Sequence, residues 1–175
     1  MKRINVIGTS GSGKTTFASA LAHQLNYPHI EMDALFWGKN WHESSDDVFF
    51  ARIAEALDQE NWVLDGNYSR TTEVKWQNVD TVIWIDYSFL RTLYQAISRA
   101  INRIITQKEL WPDTNNRETF QLLFSKDSIV LWMLKTYFPK RKRYHDMIQS
   151  NTYPHIQFIR LRSPKACRRF LQRLA

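Results

Sequence analysis

The segment GTSGSGKTT, residues 8–16, constrains the fold of this chain more than any other feature. It matches the pattern G-x-x-x-x-G-K-[ST], with Gly8, Gly13, Lys14 and Thr15 in the fixed places, and it follows a short apolar run that is typical of a buried strand. Glycines allow backbone conformations in which successive N–H groups point inward, and the start of the following helix adds positive charge. The segment therefore predicts a phosphate-binding loop between a strand and a helix.

Each residue of this loop has an expected role toward a nucleoside triphosphate. Lys14 is expected to reach the β and γ phosphates, the Thr15 hydroxyl to ligate Mg²⁺, and Thr16 to contact the α phosphate. The expected nucleotide ligands in the loop are Gly8, Thr9, Ser10, Gly11, Ser12, Gly13, Lys14, Thr15 and Thr16.

Apolar runs and helical periodicity alternate along the rest of the chain. Strands are predicted at 4–7, 28–32, 61–66, 80–86 and 155–161, and helices after the loop, at 46–59, 89–105 and 118–149, and from Pro164 onward with Ser163 as the cap. This alternation predicts a parallel sheet with helices on both faces, in which ligands bind at the carboxyl ends of the strands. The polar segment 107–116 is predicted to form a mobile lid.

Composition limits the classes of protein that fit. The chain has 175 residues, 43% of them hydrophobic, with no linker-like stretch, so a single domain, 1–175, is expected. The longest wholly apolar run, 129–134, is too short to span a bilayer, and no signal-peptide pattern is present, so we expect a soluble cytoplasmic protein. One cysteine excludes an internal disulfide, and the five histidines lack metal-ligand spacing.

The net charge of +7 suits a polyanionic partner, but a nucleotide is one as much as a nucleic acid is. The basic run PKRKR, 139–143, allows a nucleic-acid surface, a helix that delivers arginines to phosphates, or solvated charge, and we favour the last two. Charge alone does not choose between them.

The third predicted strand ends in LDGNYSR, residues 64–70. Its acid, Asp65, is placed to hold Mg²⁺ together with Thr15. Gly66 permits close approach of a ligand, Asn67 offers polar contacts, and the planar fork of Arg70 suits a phosphate or carboxylate on an acceptor. This segment therefore combines a metal ligand with acceptor contacts.

Two acids mark the end of the second predicted strand. Glu31 and Asp33 are two residues apart, so both side chains are expected to face one side of an extended segment, where they would orient an acceptor hydroxyl, act as a base or assist the metal. The aromatic loop that follows includes Trp37, whose ring either stacks on a ligand or closes the core.

Arginines flank the predicted lid. Arg99 and Arg103 lie four residues apart before it, and Arg117 lies beyond it. Phosphoryl transfer gathers negative charge on the transferred group, so arginines brought over it by a closing lid would stabilise that charge. The alternative for each arginine is a solvated helix face.

The blocks GTSGSGKTT, DALFW, WVLDGNYSR and VDTVIWIDYS, in this order, resemble the adenylate kinase-like P-loop kinases, and most closely the bacterial topology modulation protein group. The resemblance covers nearly the whole chain. It implies the three-layer α/β sandwich of P-loop NTPases with sheet order 2-3-1-4-5, ATP and Mg²⁺ at the loop, an acceptor region at 33–60 and a lid at about 104–118. Carried over by position, it implies that Lys14, Asp65 and Arg99 are catalytic, with Arg103 and Arg117 in the lid and Arg162 beside the donor adenine.

The chain also departs from that family. It reads DGNYSR where adenylate kinases read DGFPR, and its lid is short and lacks zinc cysteines. A kinase of the nucleoside monophosphate type, with a nucleotide acceptor, is the first hypothesis. Glu31 and Asp33 also resemble the acids of shikimate-kinase-type enzymes, which keeps a shikimate- or gluconate-like acceptor open, and an ATPase linked to nucleic acid is the alternative of a different class.

Overall fold

The structure is a computed structural model that describes residues 1–126 and 128–174. Its described residues form one five-stranded sheet in which all neighbouring strands are parallel and the order is β2-β3-β1-β4-β5, as the sequence predicted. The strands are β1 (Arg3–Gly8), β2 (His29–Glu31), β3 (Trp62–Asp65), β4 (Thr81–Ile85) and β5 (Gln157–Leu161).

Helices cover both faces of this sheet. They are α1 (Lys14–Leu25), α2 (Met32–Phe36), α3 (Asp46–Leu57), α4 (Thr72–Trp76), α5 (Phe89–Thr106), α6 (Phe120–Leu123), α7 (Ile129–Gln149) and α8 (Pro164–Gln172). Ser163 caps α8 through its side chain, with Pro164 in the first turn, which confirms the prediction there. No helix in the described ranges combines the length and apolar character that crossing a membrane requires.

The central strands are buried on both faces because each face packs against a separate hydrophobic cluster. One cluster contains Trp62, Trp84 and Phe49, and the other contains Phe17 and Leu21 of the first helix. Apolar runs without alternation are therefore favourable here, since neither face of the sheet meets water.

A polar residue inside β1 positions the end of β3. The buried side chain of Asn5 donates to the carbonyl oxygens of Leu64 at 3.1 Å and Gly66 at 3.0 Å. Its own oxygen accepts a hydrogen bond from the Trp76 indole at 2.8 Å. The buried amide of Asn5 thus donates two hydrogen bonds and accepts one, and this network fixes the chain at the end of β3.

The predicted helix at 118–149 is wrong, because the structure has two helices there. Thr119 caps α6 by accepting from Leu122 N at 3.1 Å, and Ser128 occupies the corresponding cap of α7. Helical periodicity continues across the break, so only the cap residues could have shown it. The short helices α2 and α4 were also missed, since five residues carry too little periodicity.

A candidate phosphoryl-transfer site

The loop between β1 and α1 needs its glycines. Gly11 and Gly13 have positive φ angles of 83° and 85°, which residues with side chains rarely adopt. A Cβ on Gly11 would lie 2.7 Å from Ala96 Cβ, and one on Gly8 would lie 2.9 Å from the carbonyl oxygen of Ile85. The loop therefore packs too closely on α5 and β4 for any other residue at these positions.

Other residues of the loop leave polar groups ready for a ligand. Thr9 and Ser12 are buried and joined by a backbone hydrogen bond of 3.0 Å, while the buried Ser12 hydroxyl has no hydrogen-bond partner in the described part of the chain. Ser10, Lys14 and Thr15 are partly buried, and Thr16 is exposed on α1. A phosphate oxygen would satisfy the Ser12 hydroxyl, so the loop fits the predicted ligand.

Asp65 ends β3 beside this loop. Its carboxylate is buried and its Oδ1 lacks a hydrogen-bond partner among the described residues. Burial raises the pKa of Asp65, whereas Lys14 and a hydrogen bond from the Thr15 hydroxyl oppose the rise. An orphaned buried carboxylate oxygen next to a hydroxyl fits a Mg²⁺ ion that completes its shell with phosphate oxygens and water.

No group of three or more potential metal-binding side chains of His, Cys, Asp or Glu occurs among residues 1–126 and 128–174. This agrees with Mg²⁺ sites in which one or two protein ligands act with the phosphates of the substrate. The fitting protein ligands are Thr15 and Asp65.

Asp33 lies in α2, not on the extended segment that the sequence predicted. The chain turns into helix directly after Glu31, so the two acids do not share one side of a strand. Asp33 Oδ1 accepts a hydrogen bond of 2.7 Å from the Tyr68 hydroxyl, and its charge acts on Asp65. Glu31 instead lies 3.9 Å from His29 Nδ1 at the edge of the sheet.

Two of the predicted arginines enter this site from α5. Burial and the charge of Arg103 lower the pKa of Arg99, while Glu118, Asp33 and Asp65 oppose that shift. Arg99 Nε has no hydrogen-bond partner in the described ranges. Arg103 Nη1 lies 3.1 Å from Oε1 of the buried Glu118. Arg99 therefore has donor capacity left for a ligand.

The predicted lid segment is docked on the loop after α2. Asn116 is fully buried, accepts from Trp41 N at 2.5 Å and donates to the Gly38 carbonyl at 3.0 Å. Trp41 also meets Trp111 edge-on, with ring centroids 6.1 Å apart. Arg117, next to this anchor, is exposed. The lid and the acceptor-side loop are therefore one connected surface in this structure.

Arg70 and Trp37 are engaged within the protein. Arg70 Nε lies 3.0 Å from Asp46 Oδ1, and its guanidinium lies 5.0 Å from the centre of the Phe36 ring. Trp37 packs edge-on against Trp41, with centroids 5.5 Å apart. The Nε of Arg70 is thus paired within the protein, and its side chain is 44% exposed.

The residues just after β3 were predicted to contact an acceptor. Gly66 has a φ of 145°, and a Cβ there would lie 2.7 Å from Met32 Cβ, so glycine is required. Asn67 lies within hydrogen-bonding reach of the Tyr144 phenol. These contacts bring β3, α2 and α7 together around one space.

Two of the predicted basic residues, Arg162 and Arg141, belong to the C-terminal half of the chain. Arg162 is exposed in the turn before α8. Arg141 Nε donates to the buried carboxylate of Asp86 at 3.0 Å, and Arg160 binds the other oxygen of the same carboxylate. Arg141 therefore links α7 to the end of β4.

Several residues that build the site were not singled out from the sequence. Glu118 is an acid buried against an arginine, and Asn116 holds the lid. Neither position carries a motif. Asn5 did offer a signal, because a polar residue inside an apolar strand implies a buried hydrogen-bond partner.

A parallel sheet of this order with a phosphate loop after β1 is the fold of the P-loop kinases, and comparisons with known proteins support the same class, a phosphotransferase. The family model for shikimate kinase matches residues 10–62. A shikimate kinase from Enterococcus faecalis is 28% identical over 149 residues, which cover 83% of this chain and 84% of that protein.

Solved structures show the same fold. A shikimate kinase from Acinetobacter baumannii in complex with shikimate superposes with a TM-score of 0.58 at 15% identity, covering 99% of this chain and 90% of its own. A gluconokinase from Sinorhizobium meliloti 1021 gives 0.51 at 19% identity, covering 99% and 93%. The comparisons thus point toward shikimate kinase and away from the topology modulation group that the sequence blocks resembled.

Proposed function

We propose that this protein is an ATP-dependent kinase whose acceptor is a small hydroxylated acid, with shikimate as the first candidate. The observation that carries the proposal is the likeness to shikimate kinase, which extends over 83% of the chain in the curated relative. The sequence alone favoured a nucleotide acceptor, and the comparisons support the shikimate- or gluconate-like alternative better.

In the proposed reaction an acceptor hydroxyl oxygen forms a bond to the γ phosphorus of ATP. The bond from that phosphorus to the β–γ bridging oxygen breaks, and ADP leaves with the electron pair. We assign the hydroxyl proton to Asp33, because this carboxylate lies within electrostatic range of Asp65 and is held by the Tyr68 hydroxyl. Asp33 acts as orienting group and base.

The donor side of the proposal uses the phosphate loop. Lys14 would bind the β and γ phosphates, and Thr15 and Asp65 would hold Mg²⁺, which neutralises phosphate charge when bound. Arg99, whose Nε lacks a partner among the described residues, would bind the transferred group as its charge spreads. Arg103 would connect α5 to the lid segment through its ion pair with Glu118.

The remaining predicted residues keep their proposed places. We assign the acceptor region to 33–60 and the lid to about 104–118 within a single domain. Proposed acceptor contacts are Glu31, Trp37, Gly66, Asn67 and Arg70, while Arg117 belongs to the lid and Arg162 to the adenine side.

The test is ADP release from MgATP with shikimate, gluconate, a panel of nucleoside monophosphates and duplex DNA, each against a reaction without acceptor. Release that depends on shikimate or gluconate, with a matching phosphorylated product, supports the proposal. Release that depends on a monophosphate would return the acceptor to the nucleotide class, and free phosphate produced with DNA alone would indicate a nucleic-acid-linked ATPase.

Variants make this assay specific to the site. Lys14→Ala and Asp65→Asn are expected to lower kcat by about a hundredfold or more, as loss of a group that acts in the transition state does. Asp146→Asn, at an exposed acid of α7 outside the proposed acceptor region and lid, is the matched control and is expected to keep wild-type turnover. Wild-type turnover in Asp65→Asn would contradict the site.

A further inference from the structure

A small cavity between α4 and α7 has an unusual lining. Three of its side chains are basic, and none of its described lining residues is acidic. No ion pair joins these three basic groups to a carboxylate within the described part of the chain. We call it the cationic pocket, and its basic residues are Lys75, Lys140 and Arg143.

Lys75 is the innermost of these groups. Its side chain is buried, with 2% of the residue exposed, and its Nζ donates to the carbonyl oxygen of Tyr68 at 3.2 Å. Burial, followed by the charges of Arg143 and Lys140, lowers the pKa of Lys75 to about 7. A buried ammonium with one neutral acceptor is unfavourable unless an anion joins it.

The pocket is connected to the proposed reaction site through one residue. Tyr68 offers its carbonyl to Lys75 and its hydroxyl to Asp33, so the two groups lie on opposite sides of the same tyrosine. Lys140 is within range of the charges of both Lys14 and Asp33. A charged group in the pocket and an acceptor hydroxyl at Asp33 would therefore lie on either side of Tyr68.

The cavity is small. About 40 Å³ is open to the centres of water-sized groups, enough for a few waters or for one oxyanion group of a larger molecule. Asn67, Ser69 and Thr72 add polar groups to the wall, whereas Trp76 and Met147 add apolar surface. The shape suits the charged end of an acceptor and excludes its whole body.

We propose that the cationic pocket binds the acidic group of the acceptor, and that Lys75 selects acceptors that carry an oxyanion over neutral ones. This inference rests on the proposed function, because it places the acceptor between the pocket and the phosphate loop. The shared chemistry is a compact oxyanion, and a carboxylate and a phosphate both supply it. The comparisons favour the carboxylate.

Binding of an oxyanion also changes the charge of Lys75. The groups that face its ammonium from α7 are Lys140, Arg143 and the phenol of Tyr144. The first two are positively charged and the phenol is neutral, so α7 supplies no negative charge to the pocket. An anion favours the protonated lysine, so binding at about neutral pH is accompanied by proton uptake. Affinity for the anion is expected to fall as the pH rises above about 7.

The experiment is titration calorimetry of shikimate, its neutral methyl ester, and inorganic phosphate into the wild type, Lys75→Met and Lys142→Met. Lys142 is exposed on α7 and does not line the cavity, so it controls for loss of one basic residue. At about pH 6.5, we expect Lys75→Met to weaken shikimate binding about tenfold or more and to narrow the preference for the acid over the ester, as loss of a charged hydrogen bond does. ADP, titrated in the same way, should bind Lys75→Met with the affinity of the wild type.

Melting temperatures establish that the variants are folded, and Lys140→Gln provides a second test if Lys75→Met fails to fold. Unchanged shikimate and phosphate affinities in folded Lys75→Met, with wild-type KM, would overturn the inference while leaving the kinase proposal intact. If no acceptor is phosphorylated but phosphate binding still depends on Lys75, the pocket stands as an oxyanion site and the proposed function fails. Phosphate binding without shikimate binding would assign the pocket to a phosphorylated ligand and overturn the carboxylate assignment.

Discussion

The backbone N–H of Trp41 donates to the side-chain oxygen of Asn116 at 2.5 Å, and this bond joins the loop after α2 to the lid. The side-chain nitrogen of Asn116 in turn donates to the carbonyl oxygen of Gly38 at 3.0 Å. Since Asn116 is fully buried, both of its partners would be left without a hydrogen bond if it were removed. The acceptor-side loop and the lid are therefore expected to move together.

Asn116→Ala should separate these two segments. We expect a loss of about 1–3 kcal/mol in unfolding free energy, because two partly buried backbone groups lose their partner. We also expect a higher KM for the acceptor, measured by ADP release, with a smaller change for ATP. Asp113→Gly removes an exposed side chain of the same segment and keeps the positive φ of 60° available, so it is the control. Equal KM values in both variants would contradict the coupling.

Glu118→Gln should disturb the arginines of α5. Neutralising this buried carboxylate removes the negative charge that lies 3.1 Å from Arg103 Nη1 and that favours the charged form of Arg99, while the glutamine oxygen can still accept a hydrogen bond. The expected loss of stability is about 2 kcal/mol, below that of a fully buried pair because Arg103 is partly exposed. Chemical denaturation measures it, and kcat should fall too. Glu73→Gln, at an exposed acid of α4, should change neither quantity.

Arg141→Gln should affect stability more than catalysis. Arg141 binds the buried Asp86 carboxylate at 3.0 Å, but it is 40% exposed, and Arg160 remains bound to Asp86. We expect a loss of roughly 1 kcal/mol and a kcat close to that of the wild type. A large fall in kcat at an unchanged melting temperature would instead place Arg141 over the phosphates.

Lys75 should make stability depend on pH in a defined direction. Its pKa in the folded protein is about 7, below that of an unfolded lysine, so the unfolded state binds more protons above pH 7. Its contribution to stability therefore rises from about pH 7 toward about pH 10, by roughly 1 kcal/mol per pH unit. Urea unfolding of the wild type and Lys75→Met should show this difference. Parallel pH profiles would contradict it.

Asp65→Asn should stabilise the free protein while removing activity. Burial raises the pKa of Asp65, so the ionised carboxylate is destabilising and its unfavourable contribution grows as pH rises through the raised pKa. The asparagine carries no such charge, and its melting temperature at neutral pH should exceed that of the wild type. A lower melting temperature would show that the carboxylate is already satisfied without Mg²⁺.

The sheet and the phosphate loop were predictable because their residues act through local patterns. Gly11 and Gly13 need positive φ, and an uninterrupted apolar run is typical of a strand buried on both faces. The position of Asp65 at the ligand-binding edge of the sheet was predictable because it ends such a strand. Sheet order, by contrast, came from resemblance to known kinases, since local periodicity does not determine which strands are neighbours.

The partners of single side chains were not predictable in the same way. Arg70 was expected at the acceptor, yet tertiary packing places Asp46 within 3.0 Å of it. Asp33 was assigned to a strand because a five-residue helix leaves little periodic signal. Lys75 carries no motif, and its significance depends on burial beside two basic residues of α7 that are distant in sequence.

The most direct measurement of the central claim is transfer of the labelled γ-phosphoryl group from MgATP to shikimate, followed by identification of the product. The account predicts labelled phosphorylated shikimate with the wild type and with Asp146→Asn, and none with Lys14→Ala or Asp65→Asn. Label that appears only as free phosphate, or equally in the Asp65→Asn reaction, would contradict it.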